Sequence, residues 1–230
     1  ATTSRIKWSH YLRFRPTVQR NLSKPANWQQ YPYPFVYGQI DPNLFPTAEW
    51  RECCRDAASI AAIHAWSSDR IDQDDPELVE QIHTRVLPRR GVWAQPDEIL
   101  VTLGAQQALY LIADLLLTAR HTVAMEDPGY PDARNIFTAR TAQVQPLTVD
   151  RQGLVPGPGL SDCQYVYVTP SHQFPTTVTL SRERRELLLA QAIKDGFLVI
   201  EDDYESEFNF RGEPTPALKS LDREGVVIYV

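Results

Sequence analysis

The feature that most constrains the fold is a regular alternation, from residue 98 onward, between short β-rich runs and helix-length amphipathic segments. Such alternation is typical of an open, largely parallel sheet with helices on both faces, so we predict an α/β domain. Ser181 as helix N-cap and Gly196 as helix terminator support the last predicted helix. The predicted elements are strand 98–103, helix 104–118, strand 122–126, helix 131–139, strand 142–147, strand 164–169, helix 181–195, strand 197–202 and strand 226–230.

The bulk composition excludes several protein classes. Hydrophobic residues at 43% and charged residues at 23% are close to the globular norm. The most apolar stretch, 109–117, is interrupted by Asp114 and is far shorter than the roughly 20 residues of a membrane span. No apolar segment follows the basic N-terminus as a secretory signal would require. We therefore expect a cytoplasmic protein that does not associate with membranes.

The three cysteines do not indicate a disulfide framework or a metal site. Cys53 and Cys54 are adjacent, and neither they nor Cys163 has CxxC spacing. Free cysteine behaves as a small hydrophobic residue, so we interpret all three as packing residues and predict no metal.

The first 46 residues differ from the rest of the chain. They are rich in proline and aromatic residues, which disfavours helix and predicts an extended arm or linker over 1–46, with the folded domain over 47–230. Residues 1–40 carry six basic residues and no acid, whereas the chain as a whole carries −6, so the remainder carries −12. An acidic body argues against DNA binding by the domain itself. We interpret the basic arm as a solvated linker.

The domain begins with two predicted helices. From Thr47 the spacing of Trp50, Cys54, Ala57 and Ala61 predicts one apolar stripe. A second helix is predicted to begin with Asp75 as N-cap and Pro76 at its first position, and Leu78, Ile82 and Val86 give that helix an apolar face.

Four segments with glycine, proline and reactive side chains follow directly after predicted strands. In open α/β sheets, ligands bind at the carboxyl ends of the strands. We therefore expect these segments to meet at one edge of the sheet and form a single site. They are TLGAQQ (102–107), EDPGYP (126–131), TPSHQFPTT (169–177) and EDDYESEF (201–208).

The first segment predicts an anion site at a helix N-terminus. Gly104, Ala105 and Gln106 would direct free amides outward at the positive end of the helix dipole, which suits phosphate. The spacing matches neither the Walker pattern nor the dinucleotide pattern. A plain strand-to-helix turn explains the same residues.

The last segment suggests a buried acid with a ligand. Asp202 follows FLVIE, a strand apolar enough to be buried, and a buried carboxylate needs a cationic partner. A protonated pyridine nitrogen would meet that need, and a carboxylate that caps a neighbouring loop is the alternative. Tyr204 lies two residues on, Tyr130 offers a flat face for stacking, and His172 lies in a proline-flanked loop. Each of these three also fits an ordinary surface or core position.

Taken together and in this order, the segments resemble fold type I pyridoxal-phosphate enzymes, the aspartate aminotransferase superfamily. Over about residues 37–230 they are most similar to the effector-binding domain of MocR-type regulators within the GntR family. The resemblance implies the fold type I large domain, a mostly parallel sheet with helices on both faces. The matching strings are DPNLFPTAEW, TLGAQQAL, EDPGYPDAR, TPSHQFPTT, VIEDDYESEF, PALKSLD and VVIYV.

The resemblance assigns roles toward pyridoxal 5'-phosphate. It implies that Tyr130 stacks on the pyridine ring, Asp202 pairs with the ring nitrogen and Tyr204 contacts the 3-oxygen. The loop from His172 to Pro175 would line the same side of the cofactor. The phosphate would be held by Gly104, Ala105 and Gln106.

Two departures from the family pattern affect the expected chemistry. Thr177 stands where relatives usually have glycine after the HQFPT string. Relatives also carry a Ser/Thr-rich turn that ends in lysine directly after the strand that matches VVIYV, whereas this chain ends at Val230. We expect a fragment that ends before the Schiff-base lysine and the C-terminal small domain, with no catalytic residue of its own and no transamination.

Two functions fit the resemblance. The first is an effector-sensing domain that responds to an amine or amino acid through an external aldimine and acts on DNA through a winged-helix domain outside this chain. The second is a fragment of a true aminotransferase. By analogy with the fold we expect a homodimer in either case. A third hypothesis, a nucleotide-binding or structural α/β domain, predicts no cofactor.

Overall fold

The computed structural model describes residues 6–12, 14–19, 21–36, 38–39, 41–141, 143–206 and 215–230. Three of the predicted arm's basic residues, Arg5, Arg13 and Arg20, and the last two residues of the EDDYESEF segment lie outside this described part. The chain divides into two compact units, one formed by 1–21 with 81–230 and the other by 22–80. The predicted domain boundary at residue 47 stays a prediction.

The smaller unit contains the two predicted N-terminal helices in altered form. Helix α1 ends at Ala57, and Ser59 begins a new helix by accepting a hydrogen bond from the Ala62 amide at 3.3 Å. The prediction of one continuous apolar stripe that reaches Ala61 is therefore wrong, because the first helix ends at Ala57 and a second, separately capped helix begins after Ser59. The next N-cap is confirmed, since Asp75 Oδ1 accepts hydrogen bonds from two following amides at 3.0 and 3.1 Å. The helices are α1 Thr47–Ala57, α2 Ile60–Trp66 and α3 Pro76–Gln81.

The cysteine interpretation is partly wrong. Cys163 is buried as predicted, whereas Cys53 and Cys54 are exposed on α1.

The described residues of the larger unit form a six-stranded sheet in the order β3-β2-β1-β4-β5-β6. Every neighbouring pair is parallel except β2 with β3, which confirms the mostly parallel sheet. The antiparallel β3 was not predicted, because two residues carry no periodic signal. The strands are β1 Thr122–Asp127, β2 Gln143–Asp150, β3 Gly153–Leu154, β4 Tyr165–Val168, β5 Leu198–Glu201 and β6 Val227–Tyr229.

Helices cover both faces of this sheet. Val123 and Met125 pack with side chains of α4 and α5, whereas Ala124 between them packs with side chains of α6. This alternation follows from the two-residue period of a strand. Both predicted ends of α6 are confirmed: Ser181 caps the helix, and Gly196 takes the left-handed conformation at φ 79°. The three helices are α4 Ala105–Leu116, α5 Pro131–Thr138 and α6 Arg182–Asp195.

The predicted strand 98–103 is wrong. Pro96–Glu98 forms a 3-10 helix, and residues 99–103 pair with no strand in the described part of the chain. Leu100 and Leu103 are 70% and 90% exposed, so the apolar pattern does not mark a buried strand here.

The remaining short helices are Trp8–His10, Pro16–Val18, Trp28–Gln30, Ile82–Val86 (a π-helix), Leu87–Arg90, Pro158–Leu160 and Leu218–Leu221. Among the described residues, no helix has the length and apolar character to cross a bilayer.

Candidate functional site

The candidate site lies at the carboxyl ends of the three central strands. Strands β1, β4 and β5 are parallel neighbours, so the segments that follow Asp127, Val168 and Glu201 emerge at one edge of the sheet. The topology therefore brings three of the four predicted segments together. Hydrogen bonds described below join the fourth, at the start of α4, to the segment that follows β1.

The N-terminus of α4 presents open backbone amides. Gly104 precedes the helix and makes no side-chain cap. Its φ of 84° is a backbone conformation that residues other than glycine rarely adopt. Thr102 Oγ1 donates a hydrogen bond to the Gly104 carbonyl at 3.1 Å and fixes the turn. Within the described part of the chain, no acceptor contacts the amides of Ala105 and Gln106, which are exposed. Such amides at the positive end of a helix can bind an anion.

The side chain of Gln106 joins this helix to the segment after β1. Its Nε2 atom donates hydrogen bonds to the Tyr130 hydroxyl and to Asp132 Oδ2, both at 2.9 Å, and the Tyr130 hydroxyl donates to the same Asp132 oxygen at 3.1 Å. Burial raises the pKa of the Tyr130 phenol, and the charge of Asp132 adds to this effect. The hydrogen bonds from Gln106 and to Asp132 fix the position of the Tyr130 hydroxyl.

Tyr130 is the first member of an aromatic row that also contains Phe174, Tyr204 and His172. The Tyr130 and Phe174 ring centroids lie 5.5 Å apart, and those of Phe174 and Tyr204 lie 6.3 Å apart, both edge to face. The His172 ring lies 5.4 Å from Tyr204. The sequence placed Phe174 within the predicted loop from His172 to Pro175 but assigned no role to its side chain. The row offers aromatic surface on which a flat ligand could stack.

Asp202 is buried next to this row. It is 5% exposed, and its Oδ2 atom accepts a hydrogen bond from the Tyr167 hydroxyl at 2.6 Å. Burial raises the pKa of Asp202, and the bond from Tyr167 acts in the opposite direction. Burial is the main reason that the pKa values of Tyr130 and Tyr204 are raised, and the charge of Asp202 raises both further, so the carboxylate acts electrostatically on both.

The cationic partner expected for Asp202 is not supplied by the described residues. The nearby cation, Arg90, pairs instead with the adjacent Asp203, to which it donates from Nε at 2.7 Å and from Nη2 at 3.0 Å. The Tyr229 hydroxyl donates to Asp203 at 2.7 Å, and Arg90 Nη2 also donates to Ser171. Asp203 is therefore fully engaged in the fold, whereas Asp202 has one oxygen, Oδ1, with no partner in the described part of the chain.

A buried polar cluster ties the segment after β1 to the segment after β4. Glu126 Oε2 accepts hydrogen bonds from the Thr169 amide and hydroxyl at 3.1 and 2.6 Å. Gln173 is 1% exposed, and its Nε2 donates to the Pro128 carbonyl at 2.8 Å. Gly129 completes the junction, because a Cβ there would lie 2.2 Å from the Glu126 carbonyl oxygen. Gln173 thus joins the two segments beneath the surface of the site, and its neighbour His172 belongs to the aromatic row.

The comparisons with known proteins bear on this arrangement. No family model matches the chain. The chain is 44% identical over 227 residues to the HTH-type transcriptional regulator TauR of Rhodobacter capsulatus, a match that covers 99% of the chain and 47% of TauR. It is 36% identical over 161 residues to the probable rhizopine catabolism regulatory protein MocR of Rhizobium meliloti, covering 67% of the chain and 32% of that protein. The chain belongs to the MocR-type regulators of the GntR family.

The fold of this MocR-type domain is that of aminotransferases. It superimposes on Pyrococcus horikoshii kynurenine aminotransferase, solved in complex with PMP, with a TM-score of 0.71 and 29% identity. The match covers 84% of this chain and 50% of that one. The chain spans about half the length of TauR and of this aminotransferase.

The structure brings the predicted site residues of the MocR-type domain together in one region. Gln106 contacts Tyr130, the aromatic row links Tyr130 to Tyr204 and His172, and Asp202 acts electrostatically on the row. Their chemistry suits a flat ligand with an anionic group at one end and a protonated nitrogen in its ring. Sequence reasoning assigned no role to three contributors, namely Phe174, Tyr167 and Glu126. The long-range contacts that reveal them leave no local pattern in the chain.

Proposed function

We propose that this chain is the pyridoxal-phosphate-binding, effector-sensing domain of a transcriptional regulator that responds to an amine or amino acid. The observation that carries the proposal is the grouping of three features at one sheet edge. These are the open N-terminus of α4 beginning at Ala105, the aromatic row, and the buried carboxylate of Asp202 with its unpartnered oxygen. The aminotransferase fold supports the same cofactor.

Each residue has a defined task in this proposal. The amides of Ala105 and Gln106, reached through the turn at Gly104, would hold the phosphate, and Tyr130 would stack on the ring. Asp202 would accept a hydrogen bond from the protonated ring nitrogen and keep it protonated. The Tyr204 phenol would donate to the 3-oxygen, and His172 would support Tyr204 from its far side. When bound, pyridoxal phosphate supplies an aldehyde that reacts with primary amines and a ring that withdraws electrons.

The effector and DNA roles belong to the full-length protein. The related TauR and MocR proteins bear the names of regulators, and TauR is named as a helix-turn-helix protein. We propose that the full-length protein binds DNA through such a domain, that the arm over 1–46 links the two parts, and that the protein acts as a homodimer. The acidic remainder of the chain supports a role for DNA contacts outside this domain.

A true aminotransferase is the alternative function, because solved structures with this fold include aminotransferases. The two functions differ in turnover. A sensor binds its amine and changes DNA affinity without a net exchange of amino groups, whereas an aminotransferase converts an amino acid and a keto acid. Product formation with the full-length protein would support the enzyme.

The test uses full-length protein incubated with pyridoxal phosphate and then with a panel of amines and amino acids. We expect a visible absorption band from bound cofactor, a shift of that band with one class of amine, and a change in DNA affinity with the same class. Asp202→Ala should weaken cofactor retention, because the ring nitrogen loses its anionic partner. Asp195→Ala, at the far end of α6, is the matched control and should retain cofactor as the parent does. A parent protein without a cofactor band would refute the proposal.

A further inference from the structure

Tyr167 lies in the centre of the sheet and faces the candidate site. It belongs to β4, between β1 and β5, and its side chain is fully buried. Its hydroxyl is directed at Asp202 Oδ2, 2.6 Å away. This contact spans 35 residues of sequence and joins two neighbouring strands at their carboxyl ends.

Burial makes this hydrogen bond strong and difficult to replace. A hydroxyl that donates to an ionised carboxylate forms a shorter bond, about twice as strong as one between neutral groups. The second buried tyrosine on the same face of β4, Tyr165, instead donates to the Leu116 carbonyl at 3.1 Å. The two tyrosines therefore occupy similar positions on one strand, but only Tyr167 contacts the acid.

The surroundings of Asp202 otherwise oppose a negative charge. Burial and the neighbouring Asp203 both raise the pKa of Asp202, and the bond from Tyr167 lowers it. Glu126 and Tyr204 also lie within electrostatic range of this group of side chains. Without the hydroxyl, the pKa of Asp202 would rise further above its usual value, because burial and Asp203 would act without this opposing hydrogen bond.

We propose that Tyr167 is a positioning residue of the cofactor site: its hydroxyl holds Asp202 Oδ2 in place, which leaves Oδ1 to accept from a protonated ring nitrogen. The inference rests on the proposed binding of pyridoxal phosphate. It assigns to a core tyrosine a role that its place in a buried strand does not suggest.

The test compares Tyr167→Phe with Tyr165→Phe in the full-length protein. Both changes remove one hydroxyl from the same strand and keep the ring, so loss of packing affects them alike. We measure the dissociation constant of pyridoxal phosphate, the absorption band of the bound cofactor and the unfolding temperature. Tyr167→Phe should weaken binding about tenfold to a hundredfold, as expected for a lost hydrogen bond to a charged group, and should shift the band. Tyr165→Phe should leave the dissociation constant and the band unchanged.

A double variant separates a role through Asp202 from a general structural role. If Tyr167 acts through the carboxylate, Tyr167→Phe should have little further effect on cofactor binding in an Asp202→Asn background. Fully additive losses would overturn the inference, as would a Tyr167→Phe protein that binds cofactor as tightly as the Tyr165→Phe control. A parent protein that binds no cofactor would overturn both this inference and the proposed function, and that result is visible before any variant is made.

Discussion

Replacing Arg90 with methionine should destabilise the domain severely, because it leaves a buried charge without its partner. The side chains of Arg90 and Asp203 are 6% and 0% exposed and share two hydrogen bonds. Methionine keeps most of the apolar volume of arginine but removes the cation. Breaking a buried ion pair from one side costs about 3–5 kcal/mol. A domain of this size loses about 2–4 °C of unfolding temperature per kcal/mol, so the transition should fall by roughly 6–20 °C.

The assay is urea and thermal unfolding of the full-length protein, followed through the transition of this domain. Arg182→Met is the matched control, since Arg182 is 81% exposed and forms an ion pair with Glu186 on the surface of α6. Surface pairs of this kind contribute little, so the control should unfold as the parent does. An Arg90→Met protein as stable as the Arg182→Met control would refute the reasoning, because it would show that Asp203 carries no uncompensated charge once the arginine is gone.

Two further predictions concern backbone conformation and pH. Thr177 has φ 63°, in the left-handed region that glycine prefers, so Thr177→Gly should raise the free energy of unfolding by up to about 1 kcal/mol. Thr215 is exposed and lies outside that region, so the control Thr215→Gly should lower the free energy of unfolding. Equal effects of the two changes in thermal unfolding would contradict this prediction. Burial raises the pKa of Glu201 from 4.5 to about 7. The folded state therefore binds its proton more tightly, and the stability from this group is present below pH 4.5 and lost as pH rises to about 7. Glu201→Gln should remove that part of the pH dependence, and a parallel pH profile for parent and variant would contradict it.

The parts of the fold that the sequence predicts are those with a local signal. The buried runs of β1, β4 and β5 are apolar enough to be recognised as strands, and the parallel order then determines that their following segments meet. The caps at Ser181 and Gly196 are also local and were placed correctly. The segment 98–103 carries a similar apolar pattern but has no strand partner in the described residues, because pairing depends on a neighbour that local sequence does not identify.

The candidate site likewise combines features that the sequence predicts with features that only the structure reveals. Gln106, Tyr130 and Asp202 could be singled out from their chemistry and their position in the sequence, although no strand precedes Gln106 in the described residues. Their contacts could not, because those contacts join distant residues: Arg90 with Asp203 across 113 positions, and Tyr167 with Asp202 across 35. For this reason the sequence predicted a buried acid that needs a cationic ligand, but it did not reveal the phenol of Tyr167 that holds Asp202 or the arginine that pairs with Asp203.

The central claim is that one cofactor molecule spans the N-terminus of α4, the aromatic row and Asp202. The most direct measurement is a crystal structure of the full-length protein grown with pyridoxal phosphate. The account predicts phosphate oxygens at hydrogen-bond distance from the amides of Ala105 and Gln106, the ring against Tyr130, and the ring nitrogen about 2.7–2.9 Å from the Asp202 carboxylate. A cofactor whose ring nitrogen faces away from Asp202, or whose phosphate lies elsewhere, would contradict it.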